Sequence, residues 1–238
     1  MLVLGFPAGS WATNCYLIAQ GPGEPCLVVD PGQDSIGPLM DLVREHRLLP
    51  VAVALTHGHV DHVWSVAPVA AEFAIPAYCH ADDAYRLADP AGTSIAATRE
   101  ALLAMTKGEL ELTEPADLRL LHDGERCELA GIDLLVRHAP GHTEGSVVFQ
   151  HDDPEEGFML SGDLLFAGSI GRTDLPGGDP EKMARSLLRV IGQAPAEMTV
   201  LPGHGPVTSV GVERATNPFL THLGLNDAPD SMNPRRGL

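Results

Sequence analysis

The amino-acid sequence predicts a layered α/β fold. Short apolar runs alternate with helical spacing through the first half, and strand-like runs crowd the second half. Several ligand-type side chains fall where an apolar run meets a glycine. The 238 residues suit one large domain, or one domain with an insertion. With 44% apolar and 20% charged residues, the composition is that of an ordinary soluble protein and too apolar for a disordered chain.

Leu2–Phe6, Cys15–Ala19 and Cys26–Val29 read as strands, the last ending at the turn Asp30-Pro31-Gly32. Ile36, Leu39, Met40 and Val43 recur at helical spacing, so Ser35–His46 reads as an amphipathic helix. Val51–Leu55 is a continuous apolar run, as expected of a strand buried on both faces. After Thr56-His57-Gly58-His59-Val60-Asp61-His62 come a helix at Trp64–Phe73 and a strand at Ile75–Cys79. Residues 82–121 are Ala-rich and polar, with helix formers at Thr98–Lys107, and read as a helical insertion or lid within a single domain of residues 1–225. Strands follow at Cys127–Leu129, Ile132–Arg137, Ser146–Gln150 and Phe158–Ser161. Asp179-Pro180 opens a helix with a capping side chain followed by proline at its first position. Met183, Leu187, Val190 and Ile191 line its buried face, and Thr199–Leu201 is a last short strand. The tail, 226–238, is rich in Asp, Asn and Pro and is expected to be loose.

Charge narrows the partners. Fifteen Lys+Arg against 32 Asp+Glu give a net charge of −17, which repels phosphate backbones and anionic lipid. Nucleic acid and membrane surfaces are therefore not expected partners, and an anionic substrate would need a locally placed cation. The N-terminus has no basic residue before Arg44, so no secretory signal is expected, and no apolar run approaches the ~20 residues that span a bilayer. The four cysteines are far apart without a CxxC, and read as free thiols of a cytoplasmic protein.

The chemistry is concentrated in the histidines. His57, His59 and His62 lie within seven residues, beside Asp61. His142 sits in Pro-Gly-His-Thr, Asp163 in Ser-Gly-Asp and His204 in Pro-Gly-His-Gly-Pro, each where an apolar run ends. Ligands in layered α/β proteins bind at such strand ends. His57 and His59 are two apart, so an extended backbone points both to one side. Asp61 and His62 are adjacent and must diverge, which suggests a different centre. Imidazoles and carboxylates without motif cysteines suit zinc, iron or manganese in a working site rather than a structural zinc knot. Five histidines and two aspartates exceed one tetrahedral ion, whereas two ions sharing one carboxylate accommodate them. His46, His80, His122, His138, His151 and His222 read as surface or hydrogen-bonded residues.

Thr-His-Gly-His-Val-Asp-His, Pro-Gly-His-Thr, Ser-Gly-Asp and Pro-Gly-His-Gly together resemble the ordered signature of the metallo-β-lactamase superfamily. The resemblance implies a four-layer αββα sandwich with two divalent ions, zinc foremost, at one sheet edge. It places His57, His59 and His142 on one ion, Asp61, His62 and His204 on the other, and Asp163 between them. Asp30 corresponds to a carboxylate that orients a ligand histidine. The run from Gly162 to Asp174, with Glu213, Arg214 and Asn217-Pro218-Phe219, resembles compact type II glyoxalase II-like hydrolases. That implies hydrolysis of a thioester of a low-molecular-weight thiol, such as S-lactoylglutathione, by a hydroxide bridging the two ions, with Asp61 also orienting it. Arg172 falls at a basic substrate-binding position. The chain is expected to lack the C-terminal helical domain of the classical glyoxalase II enzymes, and Pro206 stands where those place a substrate-contacting tyrosine. The rival readings are a mononuclear-iron persulfide dioxygenase of the same superfamily and a lactonase or β-lactamase.

Overall fold

The computed structural model describes residues 1–90, 93, 100, 104 and 112–225. Two six-stranded sheets form its centre. The first runs β1 (Leu2–Ala8), β2 (Thr13–Ala19), β3 (Pro25–Val29), β4 (Leu49–Ala54), β5 (Ala77–His80) and β6 (Leu118–Leu121) in spatial order. The second contains β7 (Arg126–Leu129), β8 (Ile132–His138), β9 (Val147–His151), β10 (Phe158–Gly162), β11 (Thr199–Pro202) and β12 (Thr208–Ser209), in the order β12-β11-β10-β9-β8-β7. Parallel pairing requires a crossover. Accordingly α1 (Ile36–His46) joins the parallel pair β3 and β4, and α2 (Val60–Val63) with α3 (Val66–Phe73) joins β4 and β5. The helix α5 (Pro180–Val190) joins β10 and β11. A short helix α4 (Ala84–Ala88) follows β5, and α6 (Val210–Thr216) and α7 (Pro218–His222) follow β12.

Period-two alternation sorts the strands into layers. On β2, Tyr16 and Ile18 enter an inter-sheet core with Leu27, Leu134 and Phe149. Their neighbours Cys15, Leu17 and Ala19 face the other way, packing with Leu39 of α1 and with Val66 and Val69 of α3. On the second sheet, Val148, Met159 and Val200 meet Met183, Leu187 and Val190 of α5, Val210 of α6 and Leu220 of α7. The result is the four-layer αββα sandwich. The four cysteines are unpaired, three of them buried, and burial pushes the Cys26 thiol up to about 12. Among the described residues, no helix is long and apolar enough to cross a membrane.

The structure corrects several boundaries. The strand read at Val51–Leu55 begins at Leu49, and Val51 is exposed; burial on both faces starts at Ala52. The helix read at Trp64–Phe73 begins only at Val66, and a separate short helix precedes it, because Ser65 is tied to the loop after β3. Its amide donates to the Pro31 carbonyl (2.9 Å) and its hydroxyl to that of Gly32 (2.7 Å). The preceding short helix, α2, starts inside the histidine motif and carries Asp61 and His62. The segment 82–121 is not wholly an insertion. Ala81–Asp83 is a 3-10 turn, and Leu118–Leu121 pairs in parallel with β5 as the sixth strand of the first sheet. The helix read at Thr98–Lys107 lies outside the described residues apart from Glu100 and Ala104, and so does the whole tail from residue 226. Asp179 caps α5 as expected, accepting from the amides of Glu181 and Lys182.

Phe149 is fully buried between the sheets. Phe149→Ala is expected to cost about 3–5 kcal/mol, seen as a lower denaturant midpoint at unchanged slope. A change within about 0.5 kcal/mol, the range of surface substitutions, would contradict a packed inter-sheet core.

Candidate metal centre

Strand ends from both sheets supply the site. His57 and His59 follow β4, and Asp61 and His62 occupy α2. His142 follows β8, Asp163 directly follows β10, and His204 follows β11. All seven side chains named from the sequence converge at this edge, and Asp30, at the end of β3, lies beneath them. The ligand-type atoms of His57, His59 and His142 lie within 4.8 Å of one another, as do those of Asp61, His62 and His204, and those of His57, His62 and Asp163.

Hydrogen bonds behind the rings set which nitrogen faces the centre. The Thr56 hydroxyl donates to Asp30 Oδ2 (2.6 Å), so it can accept from His57 Nδ1 (3.1 Å). That leaves His57 Nε2 buried with no partner. His142 Nδ1 donates to the Arg172 carbonyl (2.7 Å), and its Nε2 lies 2.7 Å from His59 Nδ1. His62 Nδ1 faces Asp30 Oδ2 at 2.9 Å, which turns its Nε2 toward Asp163 Oδ1 (3.4 Å), Asp61 Oδ2 (3.5 Å) and His204 Nε2 (3.3 Å). Carboxylate-backed imidazoles of this kind are characteristic of metal ligands. Asp163 spans the two halves: Oδ2 is 3.2 Å from His142 Nε2, while Oδ1, on the His62 side, is buried without a hydrogen-bond partner. The Thr13 hydroxyl donates to Asp61 Oδ2 (2.9 Å). Two orphaned polar atoms amid nitrogen and oxygen donors fit a cation that would satisfy them.

The electrostatics are divided. Burial and neighbouring imidazoles hold His57 well below its ordinary pKa, and the same causes bring His59 down to about 3. Burial works against His62 too, but the carboxylates of Asp61, Asp163 and Asp30 outweigh it and raise its pKa. The same balance, burial against the hydrogen bond that His204 donates to Asp61, raises His204. Burial opposes ionisation of Asp61 and Asp163, yet the surrounding histidines keep both carboxyls below the usual range.

Sequence reasoning missed the group that joins the two halves. Asp83, fully buried, accepts from the Gly58 amide (2.8 Å), the Thr143 hydroxyl (2.6 Å) and the Gly145 amide (2.8 Å). It therefore ties the His57–His59 loop to the loop of His142. Its only signal was an acidic pair after a strand end, absorbed into the supposed insertion. Glu213 and Asn217 gain a role as well. The Asn217 side chain donates to Glu213 Oε2 (2.8 Å) and to the Ser169 carbonyl (3.0 Å), and Glu213 accepts from the Gly168 amide (2.8 Å). They hold the turn beside Phe166. Small residues are required where chain segments meet: a Cβ at Gly58 would come within 2.8 Å of Arg86 Cβ.

A cavity of about 410 Å³ opens over the site, walled by Trp11, Phe166, Ile170 and Leu175, with Arg172 at its lining. The Arg172 guanidinium is exposed and makes a bidentate pair with Asp174, both bonds 2.7 Å. The cation anticipated from the sequence thus stands at the cavity, already holding a carboxylate.

The family model of the Metallo-beta-lactamase superfamily matches residues 8–204. Among solved structures, TTHA1623 in a di-iron-bound form is 38% identical, with a TM-score of 0.73, and the match covers 92% of this chain and 100% of that one. The BLEG-1 B3 metallo-beta-lactamase is 33% identical with a TM-score of 0.78 and the same coverage. The hydroxyacylglutathione hydrolase GloC of Haemophilus influenzae is 28% identical over 214 residues, 90% of this chain and 95% of that protein.

Asp30→Asn replaces the acceptor behind His62 with a neutral group. It is expected to weaken divalent-ion binding by about 10–100-fold, measured by competition with a chromogenic chelator. Unchanged affinity would mean that Asp30 serves the turn at Pro31 and not the site.

Proposed function

This chain belongs to the metallo-beta-lactamase superfamily, and from that premise we propose that it is a dinuclear metal-dependent hydrolase of thioesters formed by a low-molecular-weight thiol. The observation that carries the reading is the pair of buried, unpartnered atoms, His57 Nε2 and Asp163 Oδ1, within one cluster of donors. The donor set suits zinc, which we take as the native ion, and equally iron or manganese. His57, His59 and His142 would hold one ion, Asp61, His62 and His204 the other, and Asp163 both. When bound, the ions would supply a water acidified toward neutral pH and a polarised substrate carbonyl.

The remaining work falls to the protein. Asp61, anchored by the Thr13 hydroxyl, is placed to accept a proton or hydrogen bond from the attacking water. Trp11, Phe166 and Ile170 present apolar walls that pack the substrate and exclude bulk solvent. A thiolate leaving group, whose thiol has a pKa of about 8.5, departs without a proton donor. Arg172 would exchange Asp174 for a carboxylate of the thiol carrier, which is the local cation that a chain of net charge −17 needs. The similarity to GloC supports the thioester, while the similarity to BLEG-1 makes a β-lactam the informative control.

The test is a panel of thioesters on different thiol carriers, with a β-lactam and a lactone beside them, on protein of measured metal content. At least one thioester is expected to exceed both controls in kcat/KM by more than about tenfold, ~1.4 kcal/mol of barrier. Preference for the β-lactam or lactone would overturn the substrate class, as would oxygen uptake with a persulfide on one bound iron. Asp163→Ala is expected to lose ions and hydrolysis together; full activity with a single ion would sink the dinuclear reading. Arg172→Ala should raise KM for an acidic carrier more than it changes kcat, and Asp174→Ala, by freeing the guanidinium, should lower that KM. If neither variant moves KM, the pair serves only the loop.

A further inference from the structure

We propose that the cavity over the metal centre has an acyl half and a carrier half, and that its substrate is a thioester with an apolar, uncharged acyl group. The acyl group packs against Trp11 and Phe166, and the acidic thiol carrier lies at Arg172. The inference rests on the thioester-hydrolase reading and names the acyl part of that substrate.

What anchors each wall assigns it to a half. Trp11 lies in the turn between β1 and β2, two residues before Thr13. The Thr13 backbone pairs with that of His204, and its hydroxyl bonds Asp61 (2.9 Å). The Phe166 ring meets the His204 ring edge-on, with centroids 5.8 Å apart. Val60, also in the wall, is the chain neighbour of Asp61. These three side chains therefore attend the Asp61 and His204 side of the cluster. Arg172 attends the other side. Its carbonyl accepts from His142 Nδ1 (2.7 Å), and Leu175 and Pro176 extend the wall beyond it. A thioester carbonyl at the donor cluster, with its carrier at Arg172, directs the acyl chain toward Trp11 and Phe166.

Both aromatic walls are fixed in place. The Ser10 amide donates to Gln33 Oε1 (2.9 Å), the Ala12 amide to the Gly9 carbonyl (3.2 Å), and the Trp11 ring rests 6.0 Å from that of Trp64. The Phe166 amide donates to the Ser169 carbonyl (3.0 Å), within the turn that Glu213 and Asn217 hold. Walls already ordered lose little freedom when a ligand arrives, and what they gain is burial of apolar surface. Polar recognition is scarce. Among the described residues lining the cavity, the only side chains outside the donor cluster with a charge or a hydroxyl are Arg172 and Thr93. The Thr93 hydroxyl is already donated to the Pro90 carbonyl (3.1 Å). A carboxylate at the far end of the acyl chain would give up its hydration there for no partner.

Two series on metal-loaded protein test this. Acetyl, butanoyl, phenylacetyl and succinyl thioesters of glutathione and of N-acetylcysteine are compared in hydrolysis. S-methylglutathione and S-hexylglutathione, which contain no thioester, are compared in binding by calorimetry. A methylene packed in an apolar pocket is worth about 10–200-fold, so kcat/KM is expected to rise more than about tenfold from acetyl to butanoyl or phenylacetyl. No such rise is expected for succinyl, and the S-hexyl compound is expected to bind more than about tenfold tighter than the S-methyl one. Trp11→Ala is expected to erase the preference in both series, Trp11→Phe to keep it, and Arg172→Ala to raise KM for every acyl group alike. Turnover that is flat along the apolar series, or highest for succinyl, would overturn the acyl assignment and leave the hydrolase reading standing. Equal binding of the two thioethers would count against the apolar half in the same way. No turnover of any thioester would overturn the hydrolase reading, and this inference with it.

Discussion

One buried carboxylate underlies the whole catalytic edge. Asp30 accepts the amide of Thr56 at 2.8 Å and its hydroxyl at 2.6 Å, and meets His62 Nδ1 at 2.9 Å. A buried charge is tolerated only when it is fully partnered, and these three contacts satisfy it. They also tie the end of β3 to the end of β4 and to α2. The backbone of Asp30 lies in the left-handed region, φ 47°, which costs a non-glycine residue of order 1–3 kcal/mol unless its surroundings over-determine it. Removing the acceptor would release His62 directly and His57 through Thr56, so two imidazole orientations depend on a single side chain.

The second constraint is the join between the sheets. A cluster with donors from both sheets keeps its geometry only if the two edges cannot slide. Three ties across the sandwich prevent that. Asp83 spans the loops after β4 and β8 through Gly58, Thr143 and Gly145. On the other flank, Asn14 and Tyr16 of β2 donate to the Pro202 carbonyl at 3.0 and 2.9 Å, and Asn14 reaches the Gly205 carbonyl at 2.8 Å. The Asn14 amide also donates to the Gly203 carbonyl (2.7 Å). His204 is thus positioned by a strand of the opposite sheet, nearly two hundred residues away along the chain. Productive sites tolerate displacements of only about 0.5 Å, and these ties supply that rigidity.

Much of this was legible in the sequence. Side chains that end an apolar strand beside a glycine are recognisable because strand period and turn chemistry are local, and every strand read from the sequence exists within a few residues. Asp83 was not legible. Its role comes from three partners that are far from it in sequence, and nothing local separates it from Asp82. The strand Leu118–Leu121 was lost for a similar reason: it is an edge strand whose Arg119 and Leu120 are exposed, so it shows no core pattern until β5 is alongside. The two-residue strand β12 and the short helices α6 and α7 are below the length at which periodicity can be read. The late start of α3, after a separate α2, was invisible because its cause is the pair of bonds from Ser65 to the carbonyls of Pro31 and Gly32.

The two halves of the cluster are not electrostatic equivalents. His57 and His59 are kept neutral by burial and by each other's neighbours, so their lone pairs are available without loss of a proton. His62 and His204 stand among carboxylates that favour their protonated forms despite burial. A cation entering among Asp61, His62 and His204 must displace those protons, whereas one entering among His57, His59 and His142 displaces none from His57 or His59. Metal binding to protonatable ligands weakens as the solution becomes more acidic. On the proposed two-ion reading, falling pH therefore acts first on the His62 and His204 half, and Asp163, which faces both halves, would be the group through which loss of that ion reaches the other.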